Sequence, residues 1–387
     1  MDAFCYLFSN MDQPSIIIGG GCAGMQLIRQ LLKNPQDQKG EILLIEKEKS
    51  IPGKSWCFWA NKPSEYDFLV SKRWQKIAFH SERIHLAENI QPYAYHYISS
   101  EDFFDFHYEL IRKSPRVKIV NEQVEAIQQT NGLFTVKTDR NDYHTNRVFN
   151  SITDFSNTPA NTILLWQHFY GWFIQTERPV FDQETATLMD FSIEQGPGAN
   201  FMYVLPFSAN TALVEFTAFS SAESYSENHY IRQLEAYIKN RWNTNYEIER
   251  TESGKIPMSN FPFSLFNDAG AINIGAAAGA IKPTTGYAFK RIMKDTQELN
   301  HLLFDQKDRK AISSDRFKFY DQLLLQIIQH QPERVREIMT KLFSKNDWIS
   351  VLKFLDEDSS LFEEISIFSS LPKRLFLKQV YQYVFNR

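Results

Sequence analysis

The hydrophobic positions of this 387-residue chain change period several times, and the changes divide it into segments. Ser15-Ile16-Ile17-Ile18 is a continuous apolar run of strand length, and Met25, Leu27, Ile28, Leu31 and Leu32 behind it have helical spacing. A second apolar run, Ile42-Leu43-Leu44-Ile45, follows. Between Ile77 and Ile98, short apolar and aromatic segments such as Tyr93-Ala94-Tyr95-His96-Tyr97-Ile98 alternate with polar residues, which predicts strands of a second sheet. Ser99 and Ser100 before Glu101-Asp102 predict a helix start, with Phe103, Phe104, Phe106 and Leu110 as its apolar side. Residues 117–120, 132–136 and 147–149 read as strands, with turns at Asn131-Gly132 and Asn141-Asp142.

From residue 163 to 217 strand signals dominate. They run through Gln167-His168-Phe169-Tyr170-Gly171-Trp172, then Ala186-Thr187-Leu188-Met189-Asp190-Phe191, and then two segments that form a hairpin. Those two are Phe201-Met202-Tyr203-Val204-Leu205-Pro206 and Thr211-Ala212-Leu213-Val214-Glu215-Phe216-Thr217, joined by Phe207-Ser208-Ala209-Asn210. Residues 225–242 predict an amphipathic helix. Ile256-Pro257-Met258 and Ala271-Ile272-Asn273-Ile274 then lead into a glycine-rich turn, Gly275-Ala276-Ala277-Ala278-Gly279, and into Pro283-Thr284-Thr285-Gly286-Tyr287 before another helix. Residues 317–385 are helical by periodicity, with Pro332 and Pro372 as breakers.

The first strand runs into Gly19-x-Gly21-x-x-Gly24, and the helix follows at once, which is the context of a dinucleotide-binding turn. Gly19 permits the turn, Gly21 lets the backbone approach a pyrophosphate, and Gly24 brings helix and strand close. Cys22 and Ala23 supply N–H groups at the positive end of the helix dipole. Glu46, about 20 residues beyond the last glycine, ends the second strand where a carboxylate accepts ribose hydroxyls. The competing reading is a chance glycine-rich loop. A second glycine turn at Gly275, late in the chain, is what a nucleotide-binding domain interrupted by another domain shows.

Composition narrows the class. With 42 basic and 46 acidic residues, a net charge of −4 and no basic block, nucleic acid is excluded as the main partner. Cys5, Cys22 and Cys57 form no C-x-x-C pair, so neither a disulfide framework nor a metal site is expected, and a reducing compartment is. Residues 1–10 lack a basic n-region, and no apolar run reaches 18 residues. The 32 Phe fit a phenylalanine-rich core or a large apolar pocket.

Taken in order, several of these segments resemble the flavin-dependent lycopene β-cyclase family of carotenoid biosynthesis. They are the Gly19–Gly24 loop, Ser55-Trp56-Cys57-Phe58-Trp59, Gln167 to Trp172, Leu188-Met189-Asp190-Phe191, Tyr203-Val204-Leu205-Pro206, Val214-Glu215-Phe216-Thr217, Gly275 to Tyr287, Leu352-Lys353-Phe354-Leu355 and Leu371-Pro372. The chain departs from the family pattern at three positions. Phe216 stands where an acid commonly follows the carboxylate, Lys282 stands where His often precedes Pro283, and Ala276 follows Gly275 where related flavin oxidoreductases carry Asp.

The resemblance implies an α/β fold in which an FAD-binding Rossmann-like domain of the aromatic hydroxylase type carries an inserted antiparallel β-sheet substrate domain and C-terminal helices. The expected FAD domain takes residues 11–75, 99–160 and 266–310, the substrate domain 76–98 and 161–265, and the helices 311–387. The cofactor residues are then Gly19, Gly21, Cys22, Ala23, Gly24 and Glu46 with Gly275, Pro283 and Gly286. Reduced FAD is implied, with NADPH as reductant.

The implied reaction is cyclisation of lycopene and other linear carotenoids, started by a proton and without net redox. Glu215, inside an apolar run, is the candidate acid, because burial raises a carboxyl pKa. Asp190 is the candidate second carboxylate, and Trp172 and Tyr203 are candidate cation-facing aromatics. By alternation Glu215 shares a face with Leu213 and Thr217, and that face reads either as an active-site wall or as the wet side of a sheet. The alternative activity is an FAD/NADPH-dependent monooxygenase or desaturase acting on a hydrophobic isoprenoid. The expected location is cytoplasmic, peripheral to the inner face of the membrane where the substrate dissolves, although no basic amphipathic helix stands out in the sequence.

Overall fold

The computed structural model describes residues 14–34, 40–48, 53, 55–156, 158–305 and 312–385. The expectations for residues 1–10, Cys5 among them, lie outside these.

Ser15–Ile18 is the central strand of a five-stranded parallel sheet. Its neighbours are Arg147–Asn150 and Ile42–Ile45, flanked by Ile272–Asn273 and Val117–Val120. Parallel sheets need cover on both faces, which is why these strands read as unbroken apolar runs. One face packs on the helices Cys22–Lys33, Ser100–Arg112 and Phe289–Asp305 through Ile17, Leu44, Phe149, Leu27, Phe104 and Leu302. Ile16, Ile18 and Val148 on the other face meet Phe134 and Val136 of a three-stranded meander. Ser99 caps its helix as expected, accepting from the backbone N–H of Asp102 at 3.0 Å.

The second sheet has seven strands in the order Tyr246–Ser259, Leu164–Thr176, Thr211–Ser220, Ala199–Pro206, Thr185–Asp190, Lys76–Ser81 and Ile84–Asn89. It is antiparallel apart from one parallel pair, Thr185–Asp190 with Lys76–Ser81, because the latter strand arrives from a distant part of the chain. Both faces are buried. Val214, Phe216 and Ala218 pack on Tyr230, Leu234 and Tyr237 of the helix Glu227–Arg241. Leu213 and Phe219, on the Glu215 face, join a larger core closed by the C-terminal helices through Leu325, Ile338, Val351 and Ile367, and by Trp59 and Tyr95 of a small sheet. The small sheet pairs Ala94–Ile98 with Trp56–Ala60 and Lys72–Trp74. The wet-side reading of the Glu215 face is therefore wrong, since ten consecutive residues of this strand leave only Thr211 half-buried and the rest buried.

Tyr246–Ser259 extends well beyond the Ile256-Pro257-Met258 segment legible in the sequence. It is the edge strand, so Pro257 costs no ladder bond on its open side. Its polar first half, Glu247 to Lys255, hides it from a search for apolar alternation.

Candidate active site

The strand register builds the centre of the site. Glu252, Gly171, Glu215 and Tyr203 stand directly opposite one another on four adjacent strands, and so on one face of the sheet. Glycine at 171 leaves the space over the strand between the two glutamates. A Cβ there would lie 2.8 Å from Leu213 Cδ1 and 3.0 Å from Glu215 Cβ. Across this gap the two glutamates face each other from strands on either side of Gly171, and each carboxyl feels the other.

Both acids are buried, at 7% and 6% exposure. Burial first, and the charge of Glu252 second, push the Glu215 carboxyl well above its ordinary range. Burial raises Glu252 as well, but the Ser55 hydroxyl and the Arg250 guanidinium pull it back. Ser55 Oγ donates to the two Glu252 oxygens at 3.2 and 3.0 Å, and Thr217 Oγ1 donates to Glu215 Oε1 at 2.9 Å. The arrangement raises both carboxyls, and Ser55 and Arg250 favour the proton on Glu215 over Glu252.

Phenols surround the pair. Tyr95 OH lies 2.7 Å from Tyr203 OH and 2.8 Å from Tyr287 OH, and Trp59 meets the Tyr287 ring edge-on at 4.7 Å between centroids. Burial raises all three tyrosines, so the phenols stay neutral. Cys57, beside Tyr203, is likewise pushed up to about 12 by burial and remains a thiol.

The glycine loop is on the parallel sheet, where sequence reasoning placed it. Gly19 has φ +91°, and a Cβ on Gly24 would fall 2.1 Å from Gly19 O, so helix and turn meet backbone to backbone. Nothing lies within 4 Å of a Cβ on Gly21, which leaves open space before a helix whose N-terminus has no side-chain cap and no acid in its first turn. Cys22 and Ala23 open that helix, and the Cys22 thiol accepts from Gln26 Nε2 at 3.2 Å. Glu46 borders the loop and accepts from Gly20 N–H at 2.6 Å. Open anion-binding backbone with a carboxylate beside it fits the ADP portion of a dinucleotide.

The second glycine turn joins the loop to the carboxylate pair. A Cβ on Gly275 would strike Ala23 Cβ at 2.5 Å, so the two turns touch. Gly286, at φ +72°, abuts the other sheet, since a Cβ there would lie 2.1 Å from Gln167 Oε1. Gln167 is four residues from Gly171 and therefore on the same face of its strand. Pro283 lines a cleft of about 1140 Å³ between Phe263, Gly279 and Gln322. Lys282 anchors this turn, with Nζ 2.7 Å from both Asp321 oxygens and 2.9 Å from Glu357 Oε1, and Thr284 Oγ1 donates to Asp321 at 2.8 Å.

Two expectations need correcting. Asp190 is not beside Glu215. It pairs with Met202 in register and so shares the opposite face, where it accepts from Tyr237 OH at 2.8 Å and from Ser192 N–H at 2.9 Å. The second carboxylate at Glu215 is Glu252, which sequence reasoning missed because it lies in the unrecognised polar half of the edge strand. Trp172 likewise faces the Glu227–Arg241 helix, whereas Tyr203 is on the Glu215 face. Phe216 also points to the helix side, so an acid at that position would not meet Glu215. Among the described residues no group of His, Cys, Asp and Glu has the geometry of a metal site.

Comparison with solved structures bears out the expected fold class. A geranylgeranyl bacteriochlorophyll reductase-like protein from Thermoplasma acidophilum aligns over 95% of this chain and 98% of its own, with a TM-score of 0.58 and 14% identity. p-Nitrophenol 4-monooxygenase from Pseudomonas putida aligns over 96% and 97%, with a TM-score of 0.55 and 13% identity. A flavoprotein/dehydrogenase from Cytophaga hutchinsonii aligns over 92% and 95%, with a TM-score of 0.58 and 13% identity. In sequence, a lycopene beta-cyclase of Paracoccus sp. (strain N81106) is 30% identical over 127 residues, 32% of each chain. The lycopene beta-cyclase of Pseudescherichia vulneris is 33% identical over 104 residues, 26% of this chain and 27% of that one. These alignments thus span about a third or less of the curated relatives. The model of the family described as lycopene cyclase protein matches residues 15–380, and with nearly the whole chain covered, the protein belongs to the lycopene cyclase family.

Proposed function

We propose that the protein is a lycopene β-cyclase that converts the linear ends of lycopene to β-rings, giving γ-carotene and β-carotene. The observation that carries this reading is the buried pair Glu215 and Glu252, facing each other across Gly171 in an aromatic-walled site. Closing a β-ring requires a proton on the terminal double bond, attack of a nearby double bond on the resulting tertiary cation, and loss of a ring proton. Glu215 holds the first proton in this reading, because burial pushes its carboxyl well above the ordinary range and favours the neutral acid. Once the proton has left, the pair is one proton short and is the base for the ring proton, so protons balance over the cycle and no electrons are consumed. Tyr203, in register with Glu215, offers a neutral π-face to cationic carbon.

The cofactor of this reading is FAD in its reduced form. When bound, reduced FAD supplies an electron-rich, negatively charged ring system that favours a cation in low dielectric, with NADPH as the source of its electrons. The chain's part is to hold the pyrophosphate on the N–H groups at Gly21, Cys22 and Ala23 and the ribose at Glu46. The turn from Gly275 through Pro283 to Gly286 lies between that loop and the carboxylate face.

Expression in lycopene-accumulating cells tests the activity. Chromatography of the pigments should show γ- or β-carotene replacing lycopene, and unchanged lycopene in cells that hold folded protein contradicts the proposal. NADPH consumed one for one with product would instead favour the monooxygenase or desaturase reading.

A further inference from the structure

The last two helices carry an outer surface that the sequence did not announce. On Leu361–Ser370 the exposed positions are Leu361, Phe362, Ile365, Ser366 and Ser369, one continuous stripe of the helix. On Lys373–Phe385 they are, among the described side chains, Lys373, Arg374, Leu377, Lys378 and Tyr381, in the same spacing. Phe362 is 86% exposed, and Leu361, Ile365, Leu377 and Tyr381 lie between 61% and 66%. Large apolar side chains at every chosen turn of two neighbouring helices are not a solvated face. The helices form one surface, since only Leu371 and Pro372 separate them and Phe368 meets Phe376 at 6.4 Å between ring centroids.

Charge on this surface has one sign. The two stripes hold three cations and no carboxylate, on a protein whose net charge is −4. The acids of the first helix are turned away. Glu363 caps its own helix and pairs with Lys353, and Glu364 is buried, accepting from Arg316 and Tyr320. A second copy of the chain is a poor occupant, because a two-fold interface here would set Lys373, Arg374 and Lys378 of one copy against the same cations of the other. An anionic lipid surface meets both features, with apolar side chains entering the acyl boundary and cations at the headgroups. The helices have 10 and 13 residues, too short to cross a bilayer, and no described helix is long and apolar enough to do so.

We propose that the exposed face of Leu361–Ser370 and Lys373–Phe385 docks the protein in-plane on a membrane surface rich in anionic lipid. The inner face of the same helices, through Ile367, Leu371 and Leu375, closes the core on which the Glu215 strand lies. Docking here puts the bilayer on the outer side of the helical layer that closes this core. The purpose of the surface rests on the proposed function, in which the substrate dissolves in the bilayer, but its test uses no substrate, so either reading can fail alone.

The test is flotation of the purified protein with vesicles of phosphatidylcholine alone or mixed with phosphatidylglycerol. Wild type should float with the mixed vesicles and detach as salt is raised. Phe362→Asp with Ile365→Asp should lower the partition coefficient by at least about tenfold. Lys373→Glu with Arg374→Glu and Lys378→Glu should lower it about a hundredfold in mixed vesicles and little in neutral ones. The substituted side chains are exposed, so both variants should keep the thermal midpoint of wild type, and if one misfolds the other still decides. Failure of wild type to float, equal flotation of the folded variants, or a dimer in gel filtration that Phe362→Asp dissolves would each overturn the proposal.

Discussion

Glu215 and Glu252 project from strands on either side of Gly171, and their carboxyls meet over the one residue of the intervening strand that has no side chain to separate them. Like charges that close in a buried site resist ionising together, so burial and the neighbouring carboxyl both favour a proton on the pair. The remaining carboxylate is fixed by Ser55.

Glu252 links the site to stability. Its carboxyl is raised from about 4.5 to about 7 in the fold, which stabilises the native state fully below about pH 4.5 and loses that contribution as pH rises to about 7. The difference corresponds to about 3 kcal/mol. Urea unfolding of Glu252→Gln should show a shallower loss than wild type between pH 5 and pH 7.5, because burial still raises the Glu215 carboxyl in the variant. The same variant should cyclise about 10 to 100 times more slowly, because Glu215 loses its charged partner. An identical pH dependence in both proteins would contradict this account of the pair.

Gly171→Ala tests the gap itself. The added Cβ presses on Glu215 Cβ and Leu213 Cδ1, so the glutamate stem must shift by a few tenths of an ångström or more. Stability should fall by about 1–3 kcal/mol, and the cyclisation rate should fall further than the loss of folded protein explains. Measured per mole of folded protein, an unchanged rate would show that the spacing of the two acids does not matter.

The Lys282 network predicts a stability effect of another kind. Lys282→Ala leaves the buried Asp321 carboxylate without its cation, although Arg291 still holds Glu357. Thermal unfolding should show a loss of about 3–5 kcal/mol, and adding Asp321→Asn should restore part of it. A single variant as stable as wild type would mean the network contributes nothing to holding the Pro283–Gly286 turn.

Asp190 separates structure from chemistry. Asp190→Asn should weaken its contacts with Tyr237 and Ser192 and cost about 1–3 kcal/mol. Its rate per folded molecule should match wild type, as the residue lies on the other face of the sheet. Complete loss of cyclisation in a stable Asp190→Asn protein would reinstate it as a catalytic acid.

The parallel sheet was legible because both of its faces are buried, so Ser15–Ile18 and Ile42–Ile45 are plain apolar runs and Gly19 to Gly24 break them where the turn must be. Glu215 was legible as an acid among apolar neighbours. Its partner was not, because an edge strand tolerates charge and Pro257, and nothing local to Glu252 shows that it is buried. Which face Asp190 takes depends on a register that shifts between Thr187 and Asp190, and an irregularity of that kind defeats counting by twos. Gly171 carried no signal alone, since its role appears only once three strands are aligned around it.

The central claim is that Glu215 delivers the proton that starts ring closure. The direct measurement is conversion of lycopene, in detergent and without oxygen, by purified Glu215→Gln loaded with reduced FAD beside wild type at equal flavin occupancy. The account predicts γ- and β-carotene from wild type and none from the variant, with FAD binding and thermal midpoint retained. Cyclisation by Glu215→Gln at the wild-type rate would contradict it.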